Sequence, residues 1–413
     1  MYDLILKKLE KKDKPIDVIV VGLGFMGFGF VSVVNRLKNL RIPLVITRRP
    51  DEAKVFLEKK GYKAVAEDNP ARIKDLADKG YICVSDNLDL IKQYENEIVI
   101  EMTGTVAYGT EAALKILEAG KQLVTMNPEL QATVGTELKK IADQKGLVIT
   151  DVYGDQPGSL SRLIGNAKMM GFKPLIAGNM KRYMDKYATQ EKMKPWADDK
   201  GLAVKQTVSF TDGTKQSIEM NLVSNYFGMK ILKPGMMGPR IEDFHQAIPA
   251  FAGENIPPEG VVDYVIGLKL FPGVFVIAEH TDPHQQKYLR YLNMGEGPRY
   301  VLFDAYHLTH LEVPMTIAQV ALFKQEVINN GLNPTTKTAA MAKFDLKKGQ
   351  KLDGIGGDTV YGQIYLENES KDYLPVGLSY DAVVKRDIPQ DQPIKFSDVE
   401  LPKNAATKLL GLV

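Results

Sequence analysis

The chain has 413 residues, 44% hydrophobic and 25% charged, with a net charge of +2 at pH 7. This is the composition of an ordinary soluble globular protein, long enough for about two to four domains. A near-neutral balance without a basic, aromatic-rich stripe argues against a nucleic-acid or membrane-surface partner. Cys83 is the only cysteine, which excludes an intrachain disulfide and a multi-cysteine zinc site and fits a reducing compartment.

The opening residues, MYDLILKKLEKKDKPI, place a short apolar patch ahead of the lysines and acids. A signal peptide has the opposite order, with positive charge first and a longer apolar stretch. We therefore expect a surface helix or arm here. No run approaches the ~18 apolar residues of a membrane span, and we expect a cytoplasmic protein.

From Ile16 to Tyr153, short β-branched runs alternate with segments of helical periodicity. The strand-like runs are IDVIVVG, IPLVIT, EIVIEMTG, KQLVTM and LVITDVYG. The helix-like runs are FMGFGFVSVVNRLKN, AYGTEAALKILEAG and ELQATVGTELKKIADQKG. Alternation of this kind predicts βαβ units and a parallel sheet covered on both faces. We assign residues 1–157 to a Rossmann domain of the α/β class.

The first strand-like run ends in GLGFMG, which places glycines at Gly22, Gly24 and Gly27 around Phe25 and Met26. In a dinucleotide-binding turn the first glycine allows the tight turn, the second admits the pyrophosphate, and the third lets helix and strand pack closely. The helix N-terminus then attracts the phosphates. The alternative is a purely structural turn in a non-binding α/β domain.

The cofactor type is predicted from the end of the second strand-like run, which reads Thr47-Arg48-Arg49-Pro50. An acid near this position would hold the ribose 2′-hydroxyl of NAD. Two guanidinium groups instead suit the 2′-phosphate of NADP. The sequence therefore favours NADP; the alternative is a solvated charge pair in a loop.

Loops that follow the other strands line the cofactor crevice of such a domain. Thr103 and Gly104 follow the EIVIE run, and Asn127 follows KQLVTM; we expect them beside the ribose and nicotinamide. Glu129 is either catalytic or an acid in the first turn of a helix, where the helix dipole favours it.

The remaining sequence predicts an α+β substrate domain over residues 158–335 and a small all-β module over residues 336–413. The substrate domain includes a long helix after Asp212 and strands at VVDYVIG and GVFVIAEH. Its polar clusters are YGDQP with Asp155, GNMKRY with Lys181, and TDGTK with Asp212 and Lys215, followed by Glu219.

Lys215 and Glu219 are spaced i, i+4 and share one face of the predicted helix. They are either part of the site or an exposed salt bridge. His307, His310 and Glu312 in HLTHLE suggest a metal site, but they do not have the spacing of a zinc-peptidase helix. In this apolar context a partly buried structural role is at least as good an interpretation. His280 and His284 are predicted to lie in a loop.

These motifs together resemble a homoserine-dehydrogenase-like family, in its 1-deoxy-D-xylulose 5-phosphate reductoisomerase-like branch. The motifs on which this resemblance rests are YGDQP, GNMKRY, FTDGTKQSIEMN and AYHLTHLE. The likeness covers nearly the whole chain, and the tail looks like an SAF domain, a small β-clip module. The family commonly has an acid after the second strand, where this chain has Arg48 and Arg49.

The resemblance implies an NADPH-dependent enzyme of isoprenoid biosynthesis that rearranges a ketose phosphate to a branched aldehyde and then reduces it. It implies cationic and proton-transfer roles for Lys181 and Lys215. Asp155, Asp212 and Glu219 would orient the substrate or hold Mg or Mn, and His307 would contact the substrate. A homo-oligomer, dimer or tetramer, is implied as well.

Two other functions stay open. One is an NAD(P)-dependent dehydrogenase or oxidoisomerase of a branched sugar acid or a homoserine-like substrate. The other is a non-catalytic dinucleotide-binding sensor, against which the lysine and acid clusters argue because a sensor has no need of them.

Overall fold

The computed structural model describes residues 2–267, 269 and 271–413. In chain order its helices are α1 Tyr2–Glu10, α2 Phe25–Val34, α3 Pro50–Lys59, α4 Pro70–Asp78, α5 Leu90–Gln93, α6 Val106–Glu118, α7 Pro128–Gln144, α8 Gln156–Met169, α9 Gln190–Lys200, α10 Val204–Thr211, α11 Thr214–Phe227, α12 Ala247–Ala250, α13 Pro283–Tyr291, α14 Val313–Phe323 and α15 Ala405–Leu409. None of these helices has the length and apolar character needed to cross a bilayer in the part of the chain that is described.

The strands alternate with these helices through the first third of the chain and are sparser afterwards. They are β1 Ile16–Val21, β2 Leu40–Arg41, β3 Leu44–Ile46, β4 Ala64–Ala66, β5 Ile82–Ser85, β6 Ile98–Glu101, β7 Gln122–Thr125, β8 Ile149–Asp151, β9 Lys173–Lys181, β10 Val261–Ile266, β11 Val274–Glu279, β12 Arg299–Asp304, β13 Thr336–Ala342, β14 Val360–Leu366, β15 Val383–Val384 and β16 Val399–Glu400.

The chain divides into two compact units, the first of which combines residues 1–155 with residues 308–329. Its sheet has the order β4-β5-β3-β1-β6-β7-β8, with β2 beside β1, and all its pairings are parallel. The predicted Rossmann sheet is confirmed. Strands β3, β5 and β4 lie on one side of β1, and β6, β7 and β8 lie on its other side. The strand order therefore reverses next to β1, which is where open α/β sheets bind ligands.

The core of the first unit forms because buried valines and isoleucines of the strands meet apolar faces of α2, α3 and α14. Val18, Val20 and Ile100 are fully buried in it, and Val313 and Ile317 pack on the same cluster. The predicted N-terminal helix is confirmed as α1, whose Ile5 and Leu9 are buried with Ala318 of α14. The sequence places residues 308–335 in the substrate domain, whereas the apolar face of α14 returns residues 308–329 to the first unit.

The second unit combines residues 156–307 with residues 330–413. A mixed sheet in the order β10-β9-β11-β12 forms its centre; β9 and β10 are parallel, and the other pairs are antiparallel. Helices α8 and α11 pack against each other, and α8 also packs on the sheet. The helix predicted after Asp212 and the strands at VVDYVIG and GVFVIAEH are confirmed.

Residues 330–413 belong to this unit as well. The pair β13–β14 is antiparallel and packs against α11, and β15 pairs with β16. The expectation of an all-β module needs one correction, since α15 closes the segment behind a cap from Asn404. The prediction that His284 lies in a loop is also corrected. This residue lies in α13, because Pro283 starts that helix and the Asp282 carboxylate accepts the His284 N–H at 2.8 Å.

Candidate functional site

The GLGFMG turn in the first unit has the geometry that each glycine was predicted to supply. Gly22 has a φ of +101°, and a Cβ there would lie 2.9 Å from the Met102 carbonyl. A Cβ at Gly27 would lie 2.4 Å from the Gly22 oxygen, so this glycine allows close packing. A Cβ at Gly24 would meet no heavy atom within 4 Å, which leaves open space beside the backbone at the position expected to approach the pyrophosphate.

Helix α2 begins at Phe25 behind Gly24, and no side chain caps its first turn. The amides of a helix start are free for an anion in that case. Phe25 is 54% exposed, whereas Met26 packs against the core of the unit. Only backbone groups of these two residues suit phosphate binding, and the residues present fit a dinucleotide.

The two arginines after β3 have different surroundings. The Arg48 guanidinium lies over the Tyr108 ring at 5.3 Å, in a surface cleft that Asp86, Asn87 and Lys115 also line. Arg49 is exposed and forms a salt bridge of 3.0 Å with Glu52 on α3. The sequence interpretation overlooked this carboxylate, which neutralises part of the charge of Arg49, so Arg48 is the better candidate for the 2′-phosphate.

Glu101, the last residue of β6, is fully buried and is the centre of a network that sequence reasoning missed. Its carboxylate accepts the Thr103 N–H at 2.7 Å and hydrogen bonds from the Thr103 and Thr125 hydroxyls and the Asn127 amide. Burial raises the pKa of this carboxyl, and those hydrogen bonds oppose the rise. An acid at the end of an otherwise apolar strand is the signal that could have identified it.

This network fixes the two loops predicted to flank the ribose and nicotinamide. Asn127 is fully buried, caps α7 by accepting the Leu130 N–H at 3.1 Å and donates to the Thr105 carbonyl at 3.1 Å. Gly104 has a φ of +64° and lies at the surface. Direct contact of Thr103, Gly104 and Asn127 with a cofactor stays a prediction. Glu129 lies in the first turn of α7, as the helix-dipole alternative requires.

At the end of the first unit, the YGDQP loop packs tightly. Gly154 has a φ of +89°, and a Cβ there would lie 2.1 Å from the Thr309 carbonyl oxygen. Asp155 follows and is 5% exposed. The His310 ring packs directly on Gly29 and burial lowers its pKa, as the partly buried alternative requires.

In the second unit, the predicted residues Lys181, Glu219 and His307 lie in one buried polar cluster with three further residues, Gln156, Asn179 and Gln216. Asn179 and Lys181 alternate on β9 and thus point to one face of the sheet. Gln216 and Glu219, at i and i+3, share a face of α11. Glu219 is 4% exposed, which excludes the alternative of an exposed salt bridge on this helix.

Contacts within this polar cluster are short and continuous. The Lys181 ammonium lies 3.9 Å from the Glu219 carboxylate and 3.4 Å from the Gln156 Oε1 atom. The Asn179 amide donates to Glu219 at 2.9 Å and also to Gln156. The Gln156 Nε2 and His307 Nε2 atoms are 3.3 Å apart. A buried carboxylate beside an ammonium can take up a proton and stabilise an oxyanion.

Sequence reasoning missed Gln156, Asn179 and Gln216, although all three lie inside motifs that it singled out. Lys215 lies in the first turn of α11 and is partly exposed. Asp212 is in a different setting: its carboxylate pairs with the fully buried Lys343 at 2.9 Å and accepts the Thr214 N–H at 2.9 Å. This geometry favours a supporting role at the start of α11 over contact with substrate.

The hypothesis that Asp155, Asp212 and Glu219 hold Mg or Mn does not fit the structure. Among residues 2–267, 269 and 271–413 there is no group of three or more His, Cys, Asp or Glu side chains arranged to bind a metal. The Asp212 carboxylate is already neutralised by Lys343. We therefore derive no catalytic step through a metal.

Two known domain families match successive parts of the chain. Residues 22–150 match the profile of the homoserine dehydrogenase NAD-binding domain, and residues 154–313 match that of the oxidoreductase DRL catalytic domain. The chain thus resembles a dinucleotide-binding domain over residues 22–150 and an oxidoreductase catalytic domain over residues 154–313.

Individual relatives are distant. Homoserine dehydrogenase of Lactococcus lactis is 23% identical over 230 residues, or 52% of this chain and 51% of that protein. Homoserine dehydrogenase of Mycobacterium tuberculosis is 31% identical over 132 residues, or 32% and 27%. The chain therefore spans from about a quarter to a half of the length of these curated relatives. 1-Deoxy-D-xylulose 5-phosphate reductoisomerase of Zymomonas mobilis, solved with NADPH, is 12% identical with a TM-score of 0.39 over 75% of this chain and 81% of that one.

Proposed function

We propose that this chain is an NADP-dependent enzyme of the 1-deoxy-D-xylulose 5-phosphate reductoisomerase-like type, which isomerises a small polyol phosphate and reduces the product. The observation that carries the proposal is the buried polar cluster of the second unit. It pairs the Lys181 ammonium with the Glu219 carboxylate at 3.9 Å. The open space beside the backbone at Gly24 supports the part of the proposal that concerns the cofactor.

The protein groups would act as follows. The Glu219 carboxylate takes the proton of a substrate hydroxyl as the carbon skeleton rearranges, and the Lys181 ammonium stabilises the oxyanion that develops. Lys215, in the first turn of the same helix as Glu219, supplies a second cation and a proton donor. His307 orients the substrate, and Gln156 holds both His307 and Lys181 in place. When bound, NADPH supplies the hydride that reduces the carbonyl carbon.

The preference for NADP rests on Arg48. Its guanidinium is held over the Tyr108 ring, and a bidentate guanidinium suits a 2′-phosphate better than a 2′-hydroxyl. Gly22, Gly24 and Gly27, with the start of α2, would hold the pyrophosphate. We further propose that the protein is a homo-oligomer and that residues 336–413 are an SAF-like module.

A second candidate is a dehydrogenase or oxidoisomerase of a homoserine-like or branched sugar-acid substrate. The match of residues 22–150 to the homoserine dehydrogenase NAD-binding domain favours it. The same cluster would serve, because removal of a hydroxyl proton from an alcohol also requires a base beside a cation. A non-catalytic sensor does not need a buried acid paired with a lysine.

A product assay separates the two candidates. The protein is incubated with NADPH and 1-deoxy-D-xylulose 5-phosphate, and in parallel with NADP⁺ and L-homoserine, while absorbance of the reduced cofactor is followed and products are identified by mass spectrometry. We expect NADPH consumption in the first reaction and formation of a branched polyol phosphate. NADPH formation only with homoserine would transfer the assignment to the second candidate.

Lys215→Met tests the mechanism. This variant should lose turnover and keep NADPH affinity, because it removes a cation from the substrate site and leaves the first unit intact. Lys205→Met is a matched control on α10, where the lysine bonds the Asp353 carbonyl at an exposed position. Unchanged turnover in Lys215→Met would remove this lysine from the mechanism.

A further inference from the structure

Two amide atoms of the buried polar cluster have no hydrogen-bond partner among the residues that the structure describes. They are the acceptor Asn179 Oδ1 and the donor Gln216 Nε2. Both side chains are almost completely buried, with exposures of 0% for Asn179 and 1% for Gln216. A buried polar atom without a partner costs about 1–3 kcal/mol, so two of them on neighbouring side chains favour a ligand group that pairs with both.

The two amides are neighbours, because Asn179 Nδ2 donates to Gln216 Oε1 at 3.3 Å. An amide pair can form a second bond between the remaining oxygen and nitrogen, but here that bond is absent and both atoms are left without partners. A hydroxyl group matches this acceptor and donor in chemistry, since it donates one hydrogen bond and accepts another at the same time. A phosphate or carboxylate oxygen cannot donate to Asn179 Oδ1, and an ammonium group cannot accept from Gln216.

We propose that Asn179 and Gln216 form a subsite for one neutral hydroxyl group of the substrate. This inference deepens the proposed function and rests on it for the reaction, but the binding chemistry stands on the two amides alone. Asn179 also donates to Glu219 at 2.9 Å, so the hydroxyl is held next to the carboxylate that takes the proton. Because the proposed rearrangement takes a proton from a hydroxyl on the carbon skeleton, we assign the subsite to an interior hydroxyl of a polyhydroxylated carbon chain.

Such a subsite discriminates against compounds that lack the hydroxyl. A site built to hydrogen-bond a hydroxyl rejects the deoxy analogue by as much as about 10⁴-fold, because its own polar atoms are then left unpaired. The pair meso-erythritol and 1,4-butanediol isolates this effect, since both have four carbons and terminal hydroxyls and only the first has interior hydroxyls.

Isothermal titration of the full chain, saturated with NADP⁺, with each compound tests the subsite without requiring turnover. Wild type should bind erythritol at least about tenfold more tightly than butanediol, the equivalent of one hydrogen bond. Gln216→Glu keeps the shape and the oxygen that accepts from Asn179 but replaces the donor with an acceptor; Gln216→Met removes the amide. Both variants should lose the preference for erythritol. Gln286→Met, on α13 outside the cluster, should keep it.

The outcomes are distinct from those of the product assay. Equal or undetectable binding of both compounds to wild type would overturn the subsite and leave a buried water as the occupant of the two amides. A preference for erythritol that persists in Gln216→Glu would overturn it as well. Erythritol selectivity without NADPH oxidation on any substrate would keep the subsite and refute the reductase proposal.

Discussion

Lys343→Met should be the most damaging substitution in the second unit outside the polar cluster. Lys343 is fully buried, and its ammonium bonds the Asp212 carboxylate at 2.9 Å, the Ala188 carbonyl at 2.9 Å and the Gly357 carbonyl at 2.8 Å. The three acceptors use all three of its hydrogens. Methionine fills a similar volume but satisfies none of these acceptors.

The expected loss follows from this geometry. Removal of one partner of a buried ion pair costs about 3–5 kcal/mol, because the remaining charge has no compensation. For a unit of this size, about 4 kcal/mol corresponds to a fall in Tm of roughly 8–16 °C. Asp212→Asn added to Lys343→Met removes the stranded charge and should recover part of the loss. The two unpaired carbonyls remain in the double variant.

Differential scanning calorimetry of the wild type, the two single variants and the double variant measures these differences directly. Lys347→Met is the matched control: this lysine pairs with Asp387 at the same distance of 2.9 Å, but 71% of its side chain is exposed. Its Tm should match that of wild type, because exposed ion pairs contribute little. Equal Tm values for Lys343→Met and Lys347→Met would refute the reasoning, as would a double variant less stable than Lys343→Met.

Three further predictions concern the cofactor and pH. The double variant Arg48→Ala with Arg49→Ala should raise the KM for NADPH at least about tenfold more than it raises the KM for NADH, because it loses a charge-assisted contact with the 2′-phosphate. Equal changes in the two KM values in steady-state kinetics would contradict NADP selectivity. Glu101→Gln should weaken NADPH binding about tenfold in a fluorescence titration, because an amide NH₂ group replaces one of the oxygens that accept hydrogen bonds from Thr103, Thr125 and Asn127. Unchanged affinity would make the network purely structural. Burial raises the pKa of Asp263 to about 6 from 3.8, so the stability it contributes is complete below about pH 3.8 and is lost as pH rises through 6. Relative to Asp263→Asn, the wild-type free energy of unfolding should therefore fall by about 2.5 kcal/mol between pH 4 and 7, and parallel denaturant-derived pH profiles would disprove this.

Much of the first unit was predictable from sequence because its signals are local. Short apolar runs mark β1, β3, β6, β7 and β8, and the spacing of Gly22, Gly24 and Gly27 requires only the turn around it. The shorter strands β2, β4 and β5 were not predicted. The return of α14 to this unit was not predictable, because its apolar face, which includes Val313 and Ile317, does not indicate which of two sheets it will cover.

The polar cluster was predictable only in part. Lys181 and Glu219 lie in motifs rich in charge and attract attention, and the i, i+4 spacing placed Lys215 and Glu219 on one helix face. Which face is buried depends on β9 and β13–β14, and those contacts join residues far apart in sequence. The roles of Asn179 and Gln216 could not be predicted for the same reason, since the function of an amide side chain depends on the groups around it.

Asp212 shows the limit of inference from residue type. An aspartate before a lysine-bearing helix suits a metal ligand or a catalytic acid, and the sequence gives no sign that Lys343, more than a hundred residues later, neutralises it. In contrast, the sequence does indicate a special role for Glu101. An acid at the end of a buried strand must either reach the surface or accept hydrogen bonds from buried donors. Here it finds Thr103, Thr125 and Asn127.

The central claim, that the chain transfers hydride between NADP and a small hydroxylated carbonyl compound, is tested most directly with NADPH deuterated at C4 of the nicotinamide. The two stereospecifically labelled forms are each incubated with the protein and 1-deoxy-D-xylulose 5-phosphate, and the product is analysed by mass spectrometry. We predict a product that carries deuterium from one labelled form and none from the other. Product without deuterium from either form, or no product while NADPH remains intact, would contradict the account.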